Sequence, residues 1–369
     1  MSLDSPPRVE RAATRVAGAP LRVGRASWLV PLRAGAVTLV SLAVLLALVA
    51  VDLSNGDFKI PVSDVVSTLL GGGDAGQRFI VIDLRLPQTM VAVLAGACLG
   101  LAGALTQTFA RNPLASPDIL GVTDGAALGA VAVIVIAGGS GYGGGLVAGQ
   151  LQQVGLPIAA FVGGFGTALV LYVLSWRRGI DGQRLVLIGI GVGAAMAALT
   201  SWLLVRARIQ DAASAQVWLN GSLSGRGWDQ ARPMLIALAI LVPLSLMLVR
   251  TLNTLQLGDD SARGLGVGLQ RSQLLTLLTA VALAAIAVSA VGPLDFVAFA
   301  VPQIALRLTG GSRPPLLASM VLGGVLVVGA NLITRVVLPF AVPAGLVTAA
   351  IGAPYLIWLL LRSNRKVSA

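Results

Sequence analysis

Apolar runs of near-uniform length recur along the chain, separated by short polar segments rich in Arg, Pro and Gly. They fall near 32–51, 89–109, 118–137, 156–176, 184–205, 232–250, 272–291, 294–308, 315–333 and 344–361. A helix rises 1.5 Å per residue, so about 20 apolar residues cross the roughly 30 Å hydrocarbon core of a bilayer. The pattern predicts an all-α polytopic membrane protein with about ten transmembrane helices. The eighth run is short for a full crossing and predicts a tilted or interrupted helix.

Composition agrees. Hydrophobic residues make up 56% of the 369-residue chain, charged residues 11%, and mean hydropathy is +0.89. A soluble domain carries about 25% charged residues. Ten spans fill the length, which leaves no room for a large soluble domain. Residues 1–31, with Arg8, Arg11, Arg15, Arg22 and Arg25, read as a disordered basic cytoplasmic tail. No convincing cleavage site follows them, so 32–51 reads as an uncleaved first span. The membrane domain then covers 32–362, and 363–369 form a short cytoplasmic tail.

The net charge of +11 is topological. With the N-terminus inside, eighteen of the 26 basic residues fall on inner segments and eight on outer ones. Cytoplasmic loops collect Lys and Arg, so the bias places both termini in the cytoplasm and requires an even number of spans. A nucleic-acid partner is not needed to explain it. Two sets of five spans would make any internal repeat inverted, though no repeat is visible in the residues.

The chemistry available is sparse. There is no histidine and a single cysteine, Cys98, so no intrachain disulfide, no histidine-based catalytic pair and no metal site are expected. No G-x-x-x-x-G-K-[ST] loop is present, and ATP is not expected to bind this chain. Glycines four apart in "GACLG" (96–100), "GVTDGAALG" (121–129) and "GIGVG" (189–193) suit close helix packing, read as general bundle packing in preference to a dedicated dimer motif. Asp118 and Asp124 open the third span, with Ser116 as its expected N-cap and Pro117 at its first position. Asp118 reads as a dipole partner there, and Asp295, in "GPLDF", as a solvated turn acid.

Two polar interruptions stand out. "LGDDSARGLGVGLQRSQ" (257–273) is the longest on the cytoplasmic side after the tail. Asp259 or Asp260 can cap a short helix that Gly264 or Gly266 ends, a surface helix suited to a cytosolic partner. A plain loop is the alternative. "QTFARNPLASPD" (107–118) breaks two apolar runs with Arg, Asn, Asp and two Pro. It is either an ordinary interspan turn or a constriction of fixed shape, with Pro113 and Pro117 restricting the backbone and Asn112 bonding exposed backbone groups.

The stretch "RLPQTMVAVLAGACLGLAGALTQTFARNPLASPDILGVTDGAALGA" (85–130) resembles the signature of the FecCD-type permeases, membrane subunits of bacterial ABC importers for ferric siderophores, haem and cobalamin. "LGDDSARGLGV" (257–267), "GPLDFVAFAVPQIALRLTG" (292–310) and "VPAGLVTAAIGAPYLIWLL" (342–360) match further blocks in order. "WLNGSLSGRGW" (218–228) and "GPLDFVAFAVPQIALRL" are most similar to the ferric-siderophore branch, near the ferric-enterobactin permeases.

The resemblance implies a ten-span fold like the vitamin B12 importer permease, that is, a type II ABC importer in the bacterial cytoplasmic membrane. It implies a second permease subunit, two ATPase subunits that use ATP and Mg, and an extracytoplasmic siderophore-binding protein. This chain would hold no cofactor and catalyse nothing itself. Asn112, Leu114, Gly182 and Gln183 match the family's cytoplasmic gate. Asp259, Asp260, Ser261, Ala262, Arg263, Gly264, Leu265 and Gly266 match its ATPase-coupling segment. Arg85 and Arg335 match arginines that meet acidic residues of the binding protein, snorkelling being the plain alternative. Gln88, Gln303, Asn331 and Ala341 replace residues that are often charged or His, and Asp295 replaces a small one; these departures imply a divergent partner surface or one half of a heterodimeric pair. Cobalamin or haem import is the same-family alternative, and a proton-coupled carrier the alternative from another class.

Overall fold

A computed structural model describes residues 18–23, 26–56, 58–137, 155–176, 182–256, 258–266, 268–338 and 342–364. Every predicted span is an apolar helix. Seven helices are long and apolar enough to cross a membrane, and three shorter ones, within 122–136, 297–309 and 344–359, complete the set among the described residues.

In chain order, strands β1 (Gly18–Val23) and β2 (Ala26–Pro31) form an antiparallel hairpin with Gly18 opposite Pro31. That hairpin lies within the stretch read as a disordered tail, whose first seventeen residues fall outside the described ones. Next come α1 (Leu32–Ser54), α2 (Val62–Leu69), α3 (Ala75–Arg78), α4 (Leu86–Ala110), α5 (Val122–Ala137), α6 (Leu156–Ser175) and α7 (Gly182–Arg206). They are followed by α8 (Ile209–Leu219), α9 (Trp228–Leu255), α10 (Asp259–Gly264), α11 (Leu269–Val291), α12 (Val297–Thr309), α13 (Leu316–Leu332) and α14 (Ala344–Asn364). A wide π turn, Phe79–Arg85, joins α3 to α4, and another, Ile333–Val337, extends α13.

Two expectations change. The third span begins at Val122 rather than 118, because residues 117–120 close a separate turn, ended by Gly121 at φ 77°. Ser116 caps that turn instead, its Oγ accepting from Ile119 N at 3.4 Å, while Asp118 accepts from the Thr123 hydroxyl at 2.7 Å. Two of the polar segments between spans also carry short helices, α2 and α8. Each is too short to span and buries one edge, Val65 and Thr68 in α2, Ala215 and Trp218 in α8.

The helix α4 is the axis. Its most apolar window is 89% buried inside the chain, against 28% for α7 and 22% for α9. The helices α13, α11, α9 and α12 pack around it. Glycine permits this closeness: a Cβ on Gly96 would enter the Gly323 backbone, and one on Gly100 the Ser319 carbonyl. In the stripe 121–129, Gly121 meets Gly193 of α7, while Gly125 faces Gly163 and Gly129 faces Ala159 of α6. Both stripes are therefore spent on packing within one chain, where backbone proximity supplies van der Waals contact that lipid alone does not.

Three separated sequence blocks meet away from the ends of the chain. Ser222 N donates to Val291 O at 2.9 Å, and Gly345 N to Gly221 O at 3.1 Å. Gly221 and Gly292 take positive φ there, 65° and 78°. "WLNGS", "VGPLD" and "PAGL" thus form one junction between α8, α11, α12 and α14.

Candidate functional site

The first end of the bundle gathers the C-terminus of α4, the turn 111–121, the start of α7, and α10. The helix α4 stops because Arg111 turns left-handed, at φ 48°. Arg111 N and Asn112 N both donate to Gln107 O. The Asn112 side chain then builds an Asx turn: its Oδ1 accepts from Leu114 N at 2.9 Å, while Ala115 N donates to Asn112 O at 3.1 Å. The turn is thus held by its own residues. Leu114 leans on an apolar cluster of Phe299, Ala300 and Leu359, with Phe296 and Tyr355 beside it, so the turn rests on α12 and α14. Phe296 is itself left-handed, at φ 64°, an uncommon conformation for a bulky residue.

Gly182, the first residue of α7, lies against the end of α4; a Cβ there would sit 2.7 Å from the Ala110 carbonyl oxygen. Gly182, 68 residues after Leu114, is thus brought beside the start of the turn that holds Asn112 and Leu114, and Gln183 follows, exposed.

The polar segment 257–266 forms a short helix, as expected, with a different cap. Gly258 at φ 99° occupies the N-cap, Asp259 is the first helical residue, and Gly266 at φ 79° turns the chain after Leu265. Ala262 is fully buried in the core, while Ser261, Arg263, Gly264, Leu265 and Gly266 are exposed, Leu265 by 66%. One face therefore anchors the helix and the other stands out with a bare leucine. This helix is tied to the turn through α9: Gln256 Nε2 donates to Thr108 O at 3.3 Å, two residues before α4 ends.

The opposite end holds an arrangement that sequence reasoning missed. Asp52, in the last turn of α1, is fully buried. It accepts from the Thr89 hydroxyl at 2.5 Å and the Asn331 amide at 3.1 Å, and lies 3.5 Å from an Arg335 Nη. Three helices far apart in sequence are thus joined at one carboxylate. An acid in the final turn of an otherwise apolar run was a visible signal, since such residues inside spans are costly and paired.

The two arginines expected at the outer face differ. Arg335 keeps 24% of its side chain exposed and also donates to Asn55 O at 3.4 Å. Arg85 is 6% exposed and turns inward, donating to Leu53 O at 2.8 Å and Phe58 O at 2.5 Å. Both guanidinium groups crowd Gly56, where a Cβ would come within 3.1 Å of each. Arg85 therefore fixes the loop after α1 from within.

Two of the sequence departures lie in the interior and not on a partner surface. Gln303 is buried and donates to Gln107 Oε1 at 2.7 Å; Gln107 in turn donates to Phe299 O at 2.9 Å. Asn331 faces Asp52, where an amide donates and a second carboxylate would repel. Asp295 lies exposed in the turn before α12. Ala341 lies outside the described residues.

A polytopic helical bundle with a self-braced turn and an outward-standing short helix at one end is the architecture of a multi-pass membrane protein. The chain belongs to the FecCD transport family, which it matches over residues 44–362. It is 37% identical over 315 residues to the ferric enterobactin transport system permease protein FepG of Escherichia coli (strain K12), covering 85% of this chain and 92% of that one. It is 38% identical over 334 residues to the probable siderophore transport system permease protein YfhA of Bacillus subtilis (strain 168), covering 90% and 96%. Among solved structures it is similar to a metal-chelate type ABC transporter in an inward-facing conformation, with TM-score 0.76, 25% identity, and coverage of 89% of this chain and 99% of that one.

Proposed function

We propose that this chain is a permease subunit of a bacterial ABC importer that moves an intact ferric siderophore across the cytoplasmic membrane, with both termini in the cytoplasm. The observation that carries the reading is the pairing, at one end of the bundle, of the braced turn at Asn112 and Leu114 with the exposed helix α10. Siderophore permeases among its relatives supply the substrate class.

A cytosolic ATPase subunit receives Leu265 and Arg263 in its own cleft. Its closure moves α10, the buried Ala262 passes that displacement to the core, and the contact from Gln256 to Thr108 passes it to the end of α4. Leu114 and Gly182 then part or close. A second permease subunit covers the exposed faces of α7 and α14, where Leu187, Ile190, Leu346 and Ile351 are bare. At the opposite end Arg335 meets an acidic residue of a siderophore-binding protein, and Arg85 holds the loop beside it. ATP and Mg are used by the partner and this chain binds neither.

The test is replacement of Arg263 and Gly264 by bulky acidic residues. Uptake of labelled ferric siderophore should fall while ATPase activity of the assembled importer persists. Coupled transport at the normal rate would refute the docking role. Uptake that survives ATP depletion but collapses with the proton gradient would favour a secondary carrier.

A further inference from the structure

Beside the axis, α6 and α9 both pack on α11 and leave a groove between them at the end away from the turn 111–121. Its volume is about 1110 Å³, above the 300–1,000 Å³ usual for small-molecule pockets. Ile286, Ser289 and Ala290 of α11 form the floor, Ile158 and Phe161 of α6 one wall, and Met234 of α9 the other. Ser289 spends its hydroxyl on Ile286 O, so the floor presents no free donor.

The top of the groove is different. Trp218 of α8 lines it, 5% exposed, and its indole Nε1–H has no hydrogen-bond partner among the described residues. Arg226 lines it too, and the one hydrogen bond of its side chain among the described residues runs from Nε to Ser222 O at 3.4 Å. Burial pushes its pKa below the usual guanidinium value, the mark of a cation short of water. Arg232 and Asp229 share the rim, so the mouth carries net positive charge. Both lips continue into bare apolar helix faces, Val162 and Leu169 on α6, Ile236 and Ile240 on α9. A medium that covers those faces also reaches the groove, and that medium is lipid.

We propose that the groove holds one phospholipid of the surrounding bilayer, an acyl chain lying between α6 and α9 and the phosphate bonded by Arg226 and the Trp218 indole N–H. A phosphate would accept from the unpartnered Trp218 N–H and pair with the Arg226 guanidinium. Anionic headgroups are favoured over zwitterionic ones, because the rim is positive.

The experiment is native mass spectrometry of the complete importer, extracted from vesicles of equal parts phosphatidylglycerol and phosphatidylcholine. The wild type should retain one phosphatidylglycerol per copy of this chain. Losing a hydrogen bond to a charged group costs about 1.5–3 kcal/mol, so Arg226→Gln should reduce retention roughly tenfold or more. Ile158→Trp sits on an exposed position, tests the groove if Arg226→Gln fails to fold, and should expel the lipid by filling the wall. Arg206→Gln, whose arginine stacks on Trp202 elsewhere, should retain it. Equal retention by all four chains, no retained phospholipid in the wild type, or a protein or detergent mass in its place would overturn the assignment. The readout is a mass and not a transport rate, so it stands or falls apart from the importer reading.

Discussion

Consider removal of the Asp52 carboxylate by Asp52→Ala. The substitution strands the Thr89 hydroxyl, the Asn331 amide and part of Arg335, which now approach it at 2.5, 3.1 and 3.5 Å. Deleting one partner of a fully buried ion pair costs about 3–5 kcal/mol. Fully exposed pairs are worth about 0–1 kcal/mol. Arg335 retains 24% side-chain exposure and can turn to water, so the low end applies and about 3 kcal/mol is expected. Arg335→Ala leaves the fully buried Asp52 carboxylate with only neutral donors from the cluster and should cost at least as much, about 3–5 kcal/mol. In the double variant no charge is stranded, so its loss should fall short of the sum of the single losses by about 1–2 kcal/mol. The assay is a double-mutant cycle on the purified chain, following loss of helix with added denaturing detergent. Additivity within about 0.5 kcal/mol would refute the claim that these residues act as one unit.

Other expectations can be checked alongside it. Gly96→Leu forces α4 from α13 and should cost about 1–3 kcal/mol or more in folded yield on size exclusion, whereas Gly166→Leu, with open space around its Cα, should be silent. Asn112→Ala removes the acceptor for Leu114 N, and a weakening of about 1 kcal/mol should raise ATP-independent leak of a labelled chelate in proteoliposomes; Asn112→Asp should restore tightness. Gln303→Leu strands the buried Gln107 oxygen and should destabilise the chain by about 1–3 kcal/mol in the same unfolding assay, with Gln107→Leu added on top recovering part of the loss.

Hydrophobic run length made the ten helices legible, because crossing lipid leaves the backbone few other choices. Turn chemistry made the 111–121 break and α10 legible in place, though not in detail. Gly258 caps α10 through its φ of 99°, which residue preference for Asp at the cap does not anticipate. The helices α2 and α8 were hidden because eight and eleven residues of mixed polarity give too little pattern against a background of twenty-residue runs. The Asp52 cluster was hidden for a different reason: 279 residues separate Asp52 from Asn331, and no local pattern carries such a contact. Gln303 and Asn331 looked like surface changes because a lost charge is usually a lost partner. Both are interior hydrogen-bonding residues instead.

The burial of α4 also bears on how the chain is made. Gly96 and Gly100 fit directly against the backbone of α13, and α4 is the second apolar helix to be synthesised while α13 is the ninth. During synthesis α4 enters the bilayer long before the helix that fits it exists. Its glycine stripe must rest in lipid, bare of its mate, until most of the polypeptide has followed. The axis of the mature protein is thus its longest-waiting part. A ribosome that stalls before residue 316 leaves behind a product whose most carefully shaped surface has nothing to close on, a specific handle for membrane quality-control proteases.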